Sequence, residues 1–223
     1  VVIMQFFKSA SVRVRSTQFA ACAGLVLAAI GASSCGSDTM TESQSSSYLV
    51  LSVLEGASGA EESPIFSTFL QSDVRTGGGI VEDVGRVRMG AAMKDVTNPV
   101  GPSSNNAITV TRYRVEFRRA DGRNTPGVDV PYAFDGGVTF TVAPGDEAIV
   151  PFVLVRVQSK LEPPLSNMNF RDTDFSLPNF PIAGAGVIST LADVTFFGRD
   201  QTGREVSVKG TISINFADWA DPL

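Results

Sequence analysis

The 223 residues include no histidine, one tryptophan and two cysteines, Cys22 and Cys35, both within the first 35 positions. Without imidazole there is no Ser-His-Asp or Cys-His catalysis, no His-based zinc site and no imidazole general base. From Gly36 onward there is no thiol, hence no disulfide, Cys nucleophile or thiolate metal site in that part of the chain. Catalysis would have to run on carboxylates, Lys or Tyr. Glycoside hydrolysis by two acids set across a cleft is the clearest chemistry that survives these exclusions. No acid pair in the sequence marks such a cleft, and no motif calls for a cofactor.

What is present begins with a zoned N-terminus: basic residues Lys8, Arg13 and Arg15, an apolar run from Phe19 to Ile30, then the small residues Gly31-Ala32-Ser33-Ser34. That is the layout of an export signal, with a helical apolar part. The run falls short of the roughly 20 apolar residues that span a bilayer. Residues 1–34 are therefore expected to be a cleaved signal peptide. Ordinary cleavage near Ser34 and a retained anchor are the alternatives. Gly36 to Ser47, rich in Ser, Thr and Gly, reads as a flexible tether that begins at Cys35. Without residues 1–34 the chain keeps 15 Lys+Arg against 23 Asp+Glu, a net charge of −8. Nucleic acid is excluded as a natural partner on that balance.

Ala32-Ser33-Ser34-Cys35 resembles the signal box of bacterial lipoproteins, in which a small residue precedes the Cys that receives diacylglycerol. Ala32 stands where that family usually has Leu. The resemblance implies a lipidation site at Cys35 and an exported protein held in the bacterial envelope by a lipid anchor. In proteobacterial members an Asp directly after the Cys favours the inner membrane. Gly36 at that position implies the outer membrane.

From Tyr48 onward, short runs rich in Val, Ile, Thr, Phe and Tyr alternate with clusters of Gly, Pro, Asn and Asp, and no convincing amphipathic helix occurs. Strands are expected at 48–55, 65–75, 84–94, 107–119, 128–134, 138–142, 148–157, 187–197 and 205–216. Within 107–119, Ile108 and Val110 fall on one phase while Tyr113, Val115 and Phe117 fall on the other. Side chains alternate with period two, so the switch predicts a bulge or a change of sheet near Thr111. Phe152-Val153-Leu154-Val155 is continuously apolar, which predicts a central strand. Val187 to Phe216 reads as a hairpin turning through Gly198 to Gly203. Strands without intervening helices predict an all-β, antiparallel β-sandwich with long loops, as one domain over 48–223.

Tyr113-Arg114-Val115-Glu116-Phe117 resembles the Tyr-x-Val-x-Tyr strand of fibronectin type III and related immunoglobulin-like domains, with Phe in place of the second Tyr. The hairpin from Ala192-Asp193-Val194-Thr195-Phe196-Phe197-Gly198 to Gly203 is similar to the last hairpin of bacterial immunoglobulin-like modules. These likenesses imply an immunoglobulin-like or fibronectin III-like sandwich enlarged beyond the usual 100 residues or so.

Candidate binding residues follow from side-chain chemistry. Arg112, Arg114 and Arg118 share a strand face with Glu116, and Arg86 and Arg88 lie on another strand. If the strands adjoin, the guanidinium forks suit an anionic glycan or lipid headgroup; otherwise they pair with acids across the sheet. Phe170, Phe175 and Phe180 in the long segment 159–186 either cover a sandwich edge or form a contact surface. Trp219 either stacks on a sugar or seals the end of the core. Asp172 and Asp174, with Asp135, Asp146 or Glu147, are oxygen ligands without a full calcium-loop pattern, so no metal site is assigned. Gly77-Gly78-Gly79 reads as a connector rather than a phosphate loop.

The functional expectation is a non-catalytic, membrane-anchored envelope lipoprotein acting as an interaction or structural module on an envelope protein or extracellular polysaccharide. A glycan-binding surface module is the alternative, and a carboxylate glycosidase a distant third.

Overall fold

Alternating burial along eight extended segments builds the molecule: β1(Ser47–Ala57), β2(Phe69–Asp73), β3(Asp83–Met93), β4(Ile108–Arg118), β5(Phe134–Val142), β6(Glu147–Val155), β7(Ile188–Asp200) and β8(Glu205–Ala217). The structure is a computed structural model and describes residues 44–60, 63–77, 79–95, 97, 103–168 and 186–218. The signal segment, Cys35, Asp172, Asp174, Phe170, Phe175, Phe180 and Trp219 lie outside the described residues. A three-stranded sheet ordered β1-β3-β6 and a five-stranded sheet ordered β2-β8-β7-β4-β5 enclose one apolar layer. This is a β-sandwich.

Every pair is antiparallel except β2 with β8, which run parallel from Phe69 beside Ser213 to Asp73 beside Ala217. The sequence expectation of antiparallel sheets is corrected at this edge. Only hairpin-linked strands are obliged to run antiparallel, and β2 and β8 come from distant parts of the chain.

The strand β4 carries the phase switch. Both of its pairings shift register between Val110 and Arg112: against β7 Thr111 is the extra residue, while against β5 the extra residue lies on β5, where Val138 and Thr139 face Thr111 alone. Ile108, Val110, Tyr113, Val115 and Phe117 consequently all face the core. One inserted residue reverses the alternation, so two out-of-phase apolar sets reach the same face.

Across the core, Tyr113 packs edge-on against Phe152 with ring centroids 5.1 Å apart, and Phe152 against Phe196 at 5.3 Å. Two glycines leave room for these rings. A Cβ on Gly136, the register partner of Tyr113, would lie 2.2 Å from its ring, and one on Gly85, opposite Phe152, would lie 2.3 Å from that ring.

Three further expectations are corrected. The apolar run in β6 lies on an edge strand of its sheet, not in the centre. Pro151 within it has no N–H to donate, which suits an edge. Residues 128–133 are turn and irregular chain: Thr125 C=O accepts from the N–H groups of Val128, Asp129 and Val130, and Val128 is 67% exposed. The Pro126-Gly127 turn, with Gly127 at φ +76, extends further than the β-branched residues after it suggest. Gly198 belongs to β7 rather than to the turn. A Cβ there would meet Thr109 O at 2.6 Å, so the glycine permits close strand approach.

The start of the segment read as structureless is ordered into a one-turn helix, α1(Val157–Leu161), and a 3-10 turn, Leu165–Met168. The helix carries Lys160 into the interior. Its Nζ lies 3.0 Å from Asp83 Oδ2 with both side chains fully buried, and it donates to Asp73 C=O at 2.7 Å. Ser72 Oγ donates to the same Asp83 oxygen at 2.6 Å. Burial pushes the Asp83 carboxyl above its ordinary range, and Lys160 and Ser72 pull it back only in part. This network joins α1, β2 and β3 at one end of the sandwich. An isolated lysine gave no periodic signal from which the helix could be read.

Candidate functional site

The two arginine sets do not form a joint patch. β3 and β4 belong to different sheets, so Arg86 and Arg88 leave from one outer face of the sandwich and Arg112, Arg114 and Arg118 from the other. On the smaller sheet, Arg86 is held by Glu55 at 2.7 Å and covers the Phe66 ring at 4.1 Å, while Arg88 lies 3.9 Å from Glu147.

On the larger sheet the three arginines differ in how firmly they are engaged. Arg114 donates to Glu116 at 2.9 Å and to Asp135 at 2.8 Å. Arg118 donates to Asp193 at 2.9 Å, a carboxylate also bound by Lys209 at 2.8 Å and by Thr211 Oγ1 at 2.7 Å. Desolvation pushes the Asp193 carboxyl up, but the hydrogen bonds from Arg118, Lys209 and Thr211, with the Lys209 charge, outweigh it and hold the group below the usual range. Arg112 has only a 3.4 Å contact to Asp135, and its guanidinium carbon sits over the Phe197 ring, 3.8 Å from the centroid. Arg112 is thus oriented by an aromatic face and only loosely paired.

Arg112 borders a groove of about 760 Å³ lined also by Gln44, Thr111, Phe197, Arg199, Arg204 and Glu205. Two local features shape it. The bulge at Thr111 sharpens the twist of β4 and bends the sheet's outer surface. The β7–β8 turn is latched by Asp200, whose Oδ1 accepts from Thr202 N at 2.9 Å, Thr202 Oγ1 at 2.6 Å and Arg204 N at 2.9 Å. Desolvation raises the Asp200 carboxyl, yet these bonds and one from the Ser45 hydroxyl lower it below the ordinary range. The latch fixes the backbone from which Arg199 and Arg204 project, and ties it to the chain arriving from the tether.

The sequence had singled out Arg112 but neither Arg199 nor Arg204, which fall on either side of a turn and look like ordinary solvated residues. Their proximity to Arg112 arises only from the pairing of β4 with β7 and β7 with β8, in which Thr109 opposes Arg199 and Arg199 opposes Glu205. Among the described residues, no group of three or more acids is placed to hold a metal ion, and no helix is long and apolar enough to cross a membrane. Asp135, considered earlier as an oxygen ligand, is engaged by Arg112 and Arg114. Compared with known proteins, the chain matches no family model and no curated relative.

Proposed function

We propose that the chain is an exported, non-catalytic envelope lipoprotein, held to the membrane through Cys35, whose sandwich is an interaction module with the Arg112–Arg204 groove as its contact surface. The groove carries this reading: a concave surface of mixed aromatic and cationic character on a sheet face where the neighbouring Arg114 and Arg118 are ion-paired. Gln44, nine residues after Cys35, lines it. Nine extended residues reach at most about 30 Å, so an acylated Cys35 keeps the groove near the membrane. The Gly36 that follows Cys35 supports the outer membrane as the site of anchoring.

The sandwich itself is read as immunoglobulin-like, close to the fibronectin III-like likeness of its β4 segment. Strand order supports this: β8-β7-β4-β5 corresponds to a G-F-C-C′ sheet facing an A-B-E sheet of β1, β3 and β6. The inward-facing Tyr113, Val115 and Phe117 fit the same reading.

Two measurements test it. Mass spectrometry of chain extracted from membranes is expected to show an acylated N-terminal Cys35; a plain terminus at another residue removes the anchor. Affinity capture from envelope extracts is expected to retain a protein or polymer that is lost with Arg112→Glu and Arg204→Glu; equal retention by wild type and variants removes the groove as contact surface.

The second reading, a glycan-binding module, is favoured by Phe197 and the arginines sharing one groove, since sugars use apolar faces together with fork-like donors. A glycan array blank with and without calcium removes it.

A further inference from the structure

The acids of the β7–β8 corner leave its guanidinium groups underused: Asp200 is spent on the turn's own hydrogen bonds, and Glu205 alone reaches the groove. Three guanidinium groups, Arg112, Arg199 and Arg204, line the groove against one carboxylate, Glu205, in a chain that is acidic overall. Among the described residues, no carboxylate lies within ion-pairing distance of Arg204. The Arg199–Glu205 pair is 2.8 Å long, but its side chains are 65% and 80% exposed, and such solvated pairs contribute about 0–1 kcal/mol. Exchanging Glu205 for another oxyanion therefore costs Arg199 little. Arg112 has only its 3.4 Å contact to give up and is already oriented by Phe197. The neighbours Arg114 and Arg118, by contrast, are committed to short bonds.

We propose that this groove is a phosphate-binding site for a phosphate monoester carried on a sugar or a lipid headgroup. The inference rests on reading the groove as the contact surface and names the chemistry it recognises. A carboxylate is satisfied by one bidentate guanidinium, whereas a tetrahedral dianion presents three oxygens and uses several forks at once. The hydroxyl-bearing Thr111 and Ser207 in the lining add neutral hydrogen-bonding groups. The volume, about 760 Å³, exceeds what phosphate alone fills and leaves room for the organic part of an ester. Asp200 and the bulge fix the backbone from which the donors project, which removes the backbone part of the ordering cost of binding.

The test is calorimetric titration of the purified full chain with glycerol 3-phosphate, with glycerol as the uncharged control. Saturable binding to glycerol 3-phosphate alone is expected, weakened about tenfold or more by Arg204→Ala and by Arg112→Ala, changed less than about twofold by Arg114→Ala, and strengthened by Glu205→Gln. All four side chains are at the surface, so thermal unfolding is expected to show the variants folded. Sedimentation with phosphatidylcholine vesicles, with and without phosphatidic acid, separates the two sources. Arg204-dependent sedimentation with phosphatidic acid assigns a lipid headgroup, and glycerol 3-phosphate binding without sedimentation assigns a soluble ester. Absence of saturable binding up to about 20 mM, or an equal loss in Arg114→Ala, overturns the proposal. Envelope capture that still depends on Arg112 and Arg204 in that case leaves the contact surface standing and removes only the phosphate chemistry.

Discussion

Tyr113 on β4 and Val153 on β6 are joined across the two sheets: the Val153 N–H donates to the Tyr113 hydroxyl at 3.2 Å. β6 is an edge strand, and the buried phenol from the opposite sheet supplies an acceptor for one of its backbone donors. The bond places Tyr113 at the centre of the aromatic cluster and explains how a strand with Pro151 in it is held against the core.

Tyr113→Phe keeps the ring but leaves the Val153 donor without its acceptor. A loss of about 1–3 kcal/mol in unfolding free energy is expected by urea titration. A change below a few tenths of a kcal/mol would show that water replaces the hydroxyl. Desolvation also raises the Tyr113 phenol above its ordinary value, the Val153 bond offsetting only part, so it is expected to ionise later than a free tyrosine in an ultraviolet pH titration.

Deleting Thr111 removes the bulge and returns β4 to strict alternation. Either Ile108 and Val110 or Tyr113, Val115 and Phe117 then point to solvent, and loss of the folded state is expected by circular dichroism and amide dispersion. Thr111→Ala keeps the extra residue and is expected to change stability by less than about 0.5 kcal/mol.

Lys160→Met leaves Asp83 buried without its counter-charge, and Asp83→Leu does the same to Lys160. Each is expected to cost about 3–5 kcal/mol. The double substitution is expected to cost clearly less than the sum, because no unpaired charge remains. Additive losses in a double-mutant cycle would show the two side chains to be energetically independent.

Asp193 sets a pH dependence. Its carboxyl is held below its ordinary value of 3.8, so the unfolded chain binds more protons than the native state between the two values. The stabilisation is fully present above about pH 4 and is lost as pH falls through the folded value. Asp193→Asn is expected to cost roughly 1–2 kcal/mol near neutrality, screened by the half-exposed Arg118 and Lys209, and progressively less as the pH falls through the lowered folded value. A wild-type to variant difference independent of pH would contradict this assignment.

Several features were legible because they depend on neighbours in sequence. The two-phase apolar pattern around Thr111 required a bulge or a sheet change, and a bulge is what the strand contains. The alternation in 205–216 marked β8, and turn chemistry at Pro144-Gly145 marked the turn between β5 and β6, where Gly145 adopts φ +93. The misreadings have two causes. Whether the Phe152 run is central or at an edge and whether β2 runs with or against β8 are decided by partners far along the chain, whereas Val128 is taken out of a strand by a local turn on Thr125 C=O.

The absence of histidine, the placement of both cysteines, the acidic balance and the β-rich periodicity were determined by the sequence alone, since each is a property of composition or of adjacent residues. Which arginines are free to act was decided by tertiary structure. Arg112, Arg114 and Arg118 look equivalent on one strand, yet pairing with β5 and β7 gives Arg114 two carboxylates, Arg118 the low-pKa Asp193, and Arg112 an aromatic ring and one long contact. Electrostatic engagement falls off within a few ångströms, and only the fold sets distances on that scale.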